Sequence, residues 1–283
     1  MVTLGWPPDS LLGMLSDSVR ERLLSHGVLV RYPKPGRVLI RERDESRFVI
    51  VILSGVVKVT GGVANGPDAL LAIRVAGDAV GEFAALDQLP RSATVTSCGT
   101  LVARVINAED FVDCIRRDPD ISHGIGKAIV AKMRVASQRR VDFSGSDVPT
   151  RVARVLLHLV TSYGQPRSAA SHGKGTAIID APLTQAELAS LAVASPPAVQ
   201  RVLRRLRERG IVATGYRSFT ILDIERLSHV AYTEPDGLRL AGRLASPWLR
   251  SLSFTCSGTV KCITRTTCFT GDCPGTTCRR TGG

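Results

Sequence analysis

Two stretches of this sequence place anion-handling residues at spacings suited to the task. The first is GDAVGEFAALDQLPRSATV, at 77–95. Gly81-Glu82-Phe83-Ala84-Ala85-Leu86 can open a short helix directly after a glycine turn. The first N–H groups of a helix have no partner within it and, with the helix dipole, attract anions. Arg91 adds a fork-shaped cation suited to phosphate oxygens, and Ser92 adds a hydroxyl donor. Glu82 repels phosphate but accepts hydrogen bonds from sugar hydroxyls. The same residues also fit a plain surface turn with a Glu82–Arg91 ion pair worth under about 1 kcal/mol. Chemistry alone leaves both open.

The second stretch is SPPAVQRVLRRLRERG, at 195–210. Read as a helix, it puts Gln200 and Arg201 on the outer face. Val199, Leu203 and Leu206 form the apolar stripe with Val202 beside it, and Arg204, Arg205, Arg207 and Arg209 supply charge. Base reading in the major groove needs exposed side chains at a helix start and a basic flank for phosphates. A basic surface helix with no partner is the plain alternative.

Other elements must position these clusters. Residues 1–30 read as a helical lead-in, with Leu11, Leu12, Leu15, Val19, Leu23 and Leu24 at roughly helical spacing. From Gly36 to Ile106, short β-branched runs (GRVLIRE, RFVIVIL, GVVKVT, ALLAIRV, SATVTS, LVARVI) alternate with Gly-rich turns, the pattern of a compact antiparallel barrel or roll. Asn107 can cap a helix over NAEDFVDCI. Asp118-Pro119 opens a longer one to about Phe143, with Ile121, Ile125, Ala128, Ile129, Lys132 and Ala136 close to one face, to pack on the roll or on a partner helix. Ser144-Gly145-Ser146 is the best domain boundary, and DVPTRVARVLLHLVTSYG follows as an amphipathic helix. Thr184 and Glu187 form a capping box. A turn at Val193-Ala194-Ser195 leads into the basic helix, which Gly210 ends. IVAT and SFTIL close a hairpin around Gly215-Tyr216-Arg217-Ser218. Helix, turn, helix, hairpin is the order of a winged helix-turn-helix.

Taken together, GEFAAL followed by RSATV resembles the phosphate-binding cassette of the cyclic-AMP receptor protein/FNR superfamily of bacterial transcription regulators, where the pattern is Gly-Glu-Leu-Ala-Leu-Leu and then Arg-Ser-Ala. The resemblance spans roughly residues 30–230 and takes in Leu53-Ser54-Gly55 and the helix DVPTRVARVLLHL. It implies an α+β fold: an N-terminal cyclic-nucleotide-binding-type β-roll domain (1–117), a connecting and dimerisation helix (118–143), and a C-terminal winged helix-turn-helix (147–234). It implies a cyclic nucleotide, cAMP or cGMP, as effector. Gly81 and Ala84 would lend N–H groups to the cyclic phosphate with Phe83 between them, Glu82 would take the ribose hydroxyl, and Arg91 and Ser92 would hold the phosphate. Ser137 matches the second residue of a Thr-Ser pair that contacts the base; the Thr has become Ala136, which removes one base contact. It further implies a homodimer on double-stranded DNA, with half-sites about one turn apart, and a contact with RNA polymerase.

The DNA reader departs from the family pattern. Ser-Arg-Glu-Thr-Val-x-Arg appears as Ser195-Pro196-Pro197-Ala198-Val199-Gln200-Arg201. Proline is tolerated in a first helical turn, but two base-reading side chains are gone, each good contact being worth ~1–3 kcal/mol of discrimination. Arg201 is then the candidate guanine reader with Gln200 beside it. Thr184, Gln185 and Ser195 are candidate phosphate contacts, and Arg205 belongs to the same DNA-binding set.

The 283 residues carry a formal charge of +12 and a pI of about 9.9, which suits a polyanionic partner. No apolar run approaches the ~20 residues of a membrane span. The N-terminus lacks the basic start of a secretory signal, so the expected setting is cytoplasmic and off the membrane. No catalytic constellation is visible. Five of the seven cysteines fall between 256 and 278, without a C-x-x-C pair. The segment 235–283 reads as a disordered Cys- and Arg-rich tail. Two rivals follow: a nucleotide-binding module acting on a protein partner, and a regulator that senses redox state or metal through the tail cysteines. Cys98 and Cys114 read as inert, buried thiols.

Overall fold

A computed structural model describes residues 6–64, 66, 68–166, 176–179 and 181–232. The Cys-rich tail lies outside the described residues.

The chain opens with helices α1 (Leu11–Met14) and α2 (Asp17–Ser25). Eight strands follow: β1 (Val28–Tyr32), β2 (Val38–Ile40), β3 (Phe48–Ser54), β4 (Val56–Gly61), β5 (Ala69–Val75), β6 (Ala79–Val80), β7 (Thr94–Ser97) and β8 (Leu101–Asn107), with the short helix α3 (Glu82–Asp87) between β6 and β7. They form two antiparallel sheets, β1-β8-β3-β6 and β2-β7-β4-β5. β1 and β6 were not read from sequence: β1 occupies the end of the expected helical lead-in, and β6 is two residues long.

β3 shows why one run lacks alternation. Val49, Ile50, Val51 and Ile52 are all fully buried. Ile50 and Ile52 join Ile40, Val57, Val80, Val95, Leu101 and Ala103 inside the roll. Val49 and Val51 face the other way, into a second core with Leu12, Leu23 and Phe111. A strand covered on both faces reads as continuous apolar sequence.

α4 (Ala108–Arg117) is capped by Asn107, and α5 (Pro119–Gly145) by Asp118, which accepts from the amides of Asp120 and Ile121. α5 runs slightly beyond its expected end. Ile121, Ile125 and Ala128 of its expected stripe are buried in the second core, with Ile129 against it. That face therefore packs on the chain's own N-terminal helices. Gly124 permits the approach: a Cβ there would sit 2.1 Å from Leu15 Cδ2.

α6 (Val148–Tyr163) starts on the Asp147 cap, and β9 (Gly164–Pro166) and β10 (Ala177–Ile179) follow. α7 (Gln185–Leu191) carries the expected capping box between Thr184 and Glu187. α8 (Pro196–Glu208) ends at Gly210, whose φ is +64°. β11 (Val212–Gly215) and β12 (Ser218–Ile221) form the wing, in a sheet of order β11-β12-β10-β9. A last helix not read from sequence, α9 (Ile224–Tyr232), packs against α6.

Candidate functional site

Gly81, Glu82, Phe83, Ala84, Arg91 and Ser92 line one cavity of about 90 Å³, with Ile40, Val59 and Val95 as apolar wall. Arg74 of β5 and Lys132 of α5 also border it. The glycine is obligatory: Gly81 has φ +84°, and a Cβ would fall 2.7 Å from an Arg91 nitrogen and 3.0 Å from the Phe48 carbonyl oxygen.

The Glu82–Arg91 pair of the plain surface-turn alternative does not form. Glu82 accepts from Lys132 Nζ at 2.6 Å, and the same ammonium donates to the Ala79 carbonyl at 2.7 Å. Both partners are largely buried, with side chains 7% and 13% exposed. The sequence reading missed both Arg74 and Lys132 as site residues. Lys132 left one signal, a single lysine in an otherwise apolar helical stripe. Arg91 is buried and donates to the carbonyls of Gly81 (2.9 Å) and Phe48 (2.8 Å) and to Ser46 Oγ (3.2 Å). Its guanidinium also lies over the Phe48 ring, 4.7 Å from the centroid. Burial pushes its pKa down, but a guanidinium stays charged. Three of its five N–H groups are thus tied to the protein.

A smaller cavity of about 50 Å³ adjoins the first, sharing Arg74 and Lys132. Leu71 and Ile73 of β5, Ala136 and Arg139 of α5, and Leu159 of α6 also line it. Ser137 borders neither cavity: it is exposed on α5. The same exposed side of α5 presents Val130, Met133 and Val141.

The second site is the outer face of α8. Val199, Val202, Leu203 and Leu206 are buried, while Ser195, Gln200, Arg201, Arg204 and Arg205 are exposed, as the stripe requires. Arg207 donates to Thr214 Oγ1 at 3.0 Å, tying the helix to the wing. Tyr216 stands fully exposed at the wing tip. Thr184 and Gln185, at the start of α7, are only half-exposed. In the turn between the two helices, Val193 is held at φ +49°, a region costly to a β-branched residue.

The two sites are joined through β5. Leu70, Ile73 and Val75 belong to the same buried core as Leu188, Leu191, Val199 and Leu203 of the helix-turn-helix. Beside this seam Lys58 of β4 donates to Glu187 Oε1 at 2.5 Å. Glu187 Oε2 meanwhile accepts from the Thr184 amide and hydroxyl. Burial acts to raise the Glu187 pKa, but the hydrogen bonds from Lys58 and Thr184 outweigh it and hold the carboxyl below its usual range. Cys98, expected to be buried, is only half-buried here, and Cys114 is buried. Burial pushes both thiols up, away from the reactive thiolate. No cluster of metal-ligating side chains occurs among the described residues, nor any helix long and apolar enough to cross a membrane.

The cyclic nucleotide-binding domain family matches residues 30–118, and the Crp-like helix-turn-helix domain family matches residues 150–230. A CRP-like cAMP-activated global transcriptional regulator of Mycobacterium tuberculosis is 28% identical over 202 residues, covering 71% of this chain and 87% of the relative. The cyclic AMP receptor protein of Thermus thermophilus is 26% identical over 201 residues, with the same coverage, 71% and 87%. Among solved structures, FixK2 from Bradyrhizobium japonicum shares the fold, with a TM-score of 0.59 at 15% identity over 72% of this chain and 96% of that one.

Proposed function

Since this chain belongs to the cyclic-AMP receptor protein/FNR superfamily of transcription regulators, we propose that it is a homodimeric DNA-binding regulator whose roll cavity takes a cyclic nucleotide and passes the event to the helix-turn-helix through β5. One observation carries this reading. The cassette residues converge on a cavity walled by Arg74 of β5, and β5 packs its buried side chains into the core of the DNA-binding unit.

In this reading Ser92 and the remaining N–H groups of Arg91 receive the phosphate, while Glu82 exchanges the Lys132 ammonium for a ribose hydroxyl. At about 90 Å³ the cavity is smaller than the roughly 300–1,000 Å³ of ordinary ligand sites. Entry would therefore displace the Lys132 ammonium from Glu82 and from the Ala79 carbonyl. That displacement is the differential interaction a ligand needs in order to bias a two-state element. The stretch 118–143, read as a connecting and dimerisation helix, supports the dimer: Gly126, Val130, Met133, Ser137 and Val141 recur at intervals of three and four on its exposed side, the spacing of a helix-pairing seam. Ser137 on that seam would reach an effector only across the dimer.

On DNA, Arg201 and Gln200 address base edges, and Arg204, Arg205 and Ser195 address phosphates, with Thr184 and Gln185 joining once α7 is free of the roll. A contact with RNA polymerase follows from family membership, with no residue assigned to it. The test is calorimetric titration of cAMP and cGMP, followed by duplex binding at two salt concentrations. Nucleotide binding that changes a salt-dependent DNA affinity is expected. Absence of heat from both nucleotides removes the effector assignment, and salt-independent association removes the DNA assignment.

A further inference from the structure

The exposed face of α8 changes chemistry along its length. Pro196 and Pro197 are exposed in its first turn, Gln200 and Arg201 in the next, and Arg204 and Arg205 after them. Pro196 and Gln200 are four residues apart, as are Pro197 and Arg201, so each pair shares a side of the helix. Each proline therefore stands one turn ahead of a hydrogen-bonding side chain. Val193 extends the apolar end: it is 46% exposed in the turn before the helix. The thirteen residues from Leu188 to Gln200 carry no charged side chain. Leu188, Leu191 and Val199 of this stretch go into the core, while Val193, Pro196 and Pro197 are left at the surface.

The two prolines also strip this helix start of donors. The first turn of a helix ordinarily offers free amides to an anion. Proline has none, so of Pro196, Pro197 and Ala198 only Ala198 brings an N–H. What the turn presents is ring carbon. Base edges in the major groove are donors and acceptors, with one apolar group among them, the C5 methyl of thymine. A pyrrolidine ring set against polar edges strips them of water and returns no hydrogen bond. Set against a methyl, it buries apolar surface on both sides.

We propose that Pro196, Pro197 and Val193 select thymine through its methyl group, beside a guanine contacted by Arg201. This rests on the DNA reading above, with α8 in the major groove, and adds the base that its first turn prefers. Pro197 precedes Arg201 by about 6 Å of helical rise, against roughly 3.4 Å per base-pair step. The thymine therefore lies within about two base pairs of the guanine. A contact surface also gives Val193 a use for a place at φ +49°, a conformation that β-branched residues seldom hold.

The experiment selects duplexes from a randomised pool with the full chain at low salt, with and without cAMP. Fluorescence anisotropy then compares the selected duplex with one in which deoxyuridine, lacking only the methyl, replaces each thymine of the half-site. The selected half-sites are expected to hold thymine beside guanine, and deoxyuridine to weaken binding about fourfold for each contacted methyl. Pro196→Ala together with Pro197→Ala should shrink that ratio to under about twofold. Affinity for random duplex should be unchanged or higher, because two amides return for phosphate. A circular dichroism melt shows whether the double variant folds, and the wild-type comparison stands without it. The proposal is overturned by half-sites without thymine near the guanine, by a pool that yields no preferred sequence, or by deoxyuridine duplexes bound as tightly as thymine ones. A folded double variant that keeps the wild-type ratio overturns the assignment to the prolines. In all these cases salt-dependent binding leaves the DNA reading intact; failure to bind any duplex removes that reading and this proposal with it.

Discussion

Replacing Lys58 by Met tests whether the docked helix-turn-helix is a restrained one. Lys58 and Glu187 meet at 2.5 Å with side chains 10% and 26% exposed. Surface pairs of this kind contribute ~0–1 kcal/mol, and one-sided removal of a fully buried pair costs about 3–5 kcal/mol. This pair sits between the two cases. Glu187 keeps its hydrogen bonds from Thr184 and enough exposure to be hydrated, so the loss is about 1.5 kcal/mol. Methionine retains the apolar stem, leaving the Leu70, Ile73 and Val75 contacts in place. A loss of that size shifts the docked–released balance roughly tenfold. Thr184 and Gln185 are half-covered when docked, so release should let α7 reach phosphates without any effector. Fluorescence anisotropy with a labelled duplex at fixed salt should show effector-free Lys58→Met binding about tenfold tighter than wild type, and Lys58→Arg close to wild type. If Lys58→Met keeps its melting profile yet binds DNA no better than wild type, the seam does not restrain the reader and the reasoning fails. Because the Glu187 carboxyl is held below its usual pKa, the seam's contribution is intact above the ordinary carboxylate value of ~4.3. It is lost as pH falls through the lower folded value.

Four further outcomes are expected. Met133→Glu should convert the proposed dimer to monomer in sedimentation at micromolar concentration while leaving the monomer's helix content intact; an unchanged dimer would place the interface elsewhere. Val193→Gly removes a β-branched residue from φ +49° at a half-exposed turn, and should stabilise the chain by about 0.5–1 kcal/mol in chemical denaturation; destabilisation would mean the side chain packs better than its exposure indicates. His158, held neutral with a pKa of about 4, binds protons more readily when unfolded. Stability should therefore decline between pH ~6.5 and ~4 by roughly 2 kcal/mol after allowance for its partial exposure, and His158→Gln should flatten that decline. Arg201→Ala should cost ~1–3 kcal/mol on the preferred DNA sequence and much less on random duplex; an equal loss on both would make Arg201 a phosphate contact.

The elements that sequence periodicity revealed are those with one face in water. The α8 stripe, the capping box at Thr184 and Glu187, and the alternating runs of β7 and β8 all announce themselves because exposure forces a period. β6 is too short to show one. β1 follows a helical lead-in closely enough to be absorbed into it, and α9 falls where the turn signals of the wing mask its own start. At the site, residue types and spacing left a plain surface turn open, and it was the resemblance of GEFAAL and RSATV to the phosphate-binding cassette that pointed to the six residues lining one cavity. Lys132 was invisible as a site residue because its partner Glu82 lies 50 positions away. So was the bridge from Lys58 to Glu187, 129 positions apart. Local sequence carries no information about pairs whose meeting depends on how the roll and α5 come together. The two faces of α5 were likewise not separable in sequence: the stripe at Ile121, Ile125 and Ala128 was visible, but only the packing of Leu15 against Gly124 fixes it inward and leaves Met133 outward.

Arg91 leads to a consequence for how this signature is interpreted in other chains. Its hydrogen bonds to Gly81, Phe48 and Ser46 fasten the loop before β7 to β3 and to the glycine turn, in the manner of a peg through three boards. A relative that binds no nucleotide would still need the peg. Glycine and arginine at these positions are therefore called for by the fold, with or without a ligand. By the same token, a screen that scores Arg91 substitutions for lost signalling will count broken joinery among its hits. Ser92, which lines the cavity without any of those bonds, is the cleaner witness.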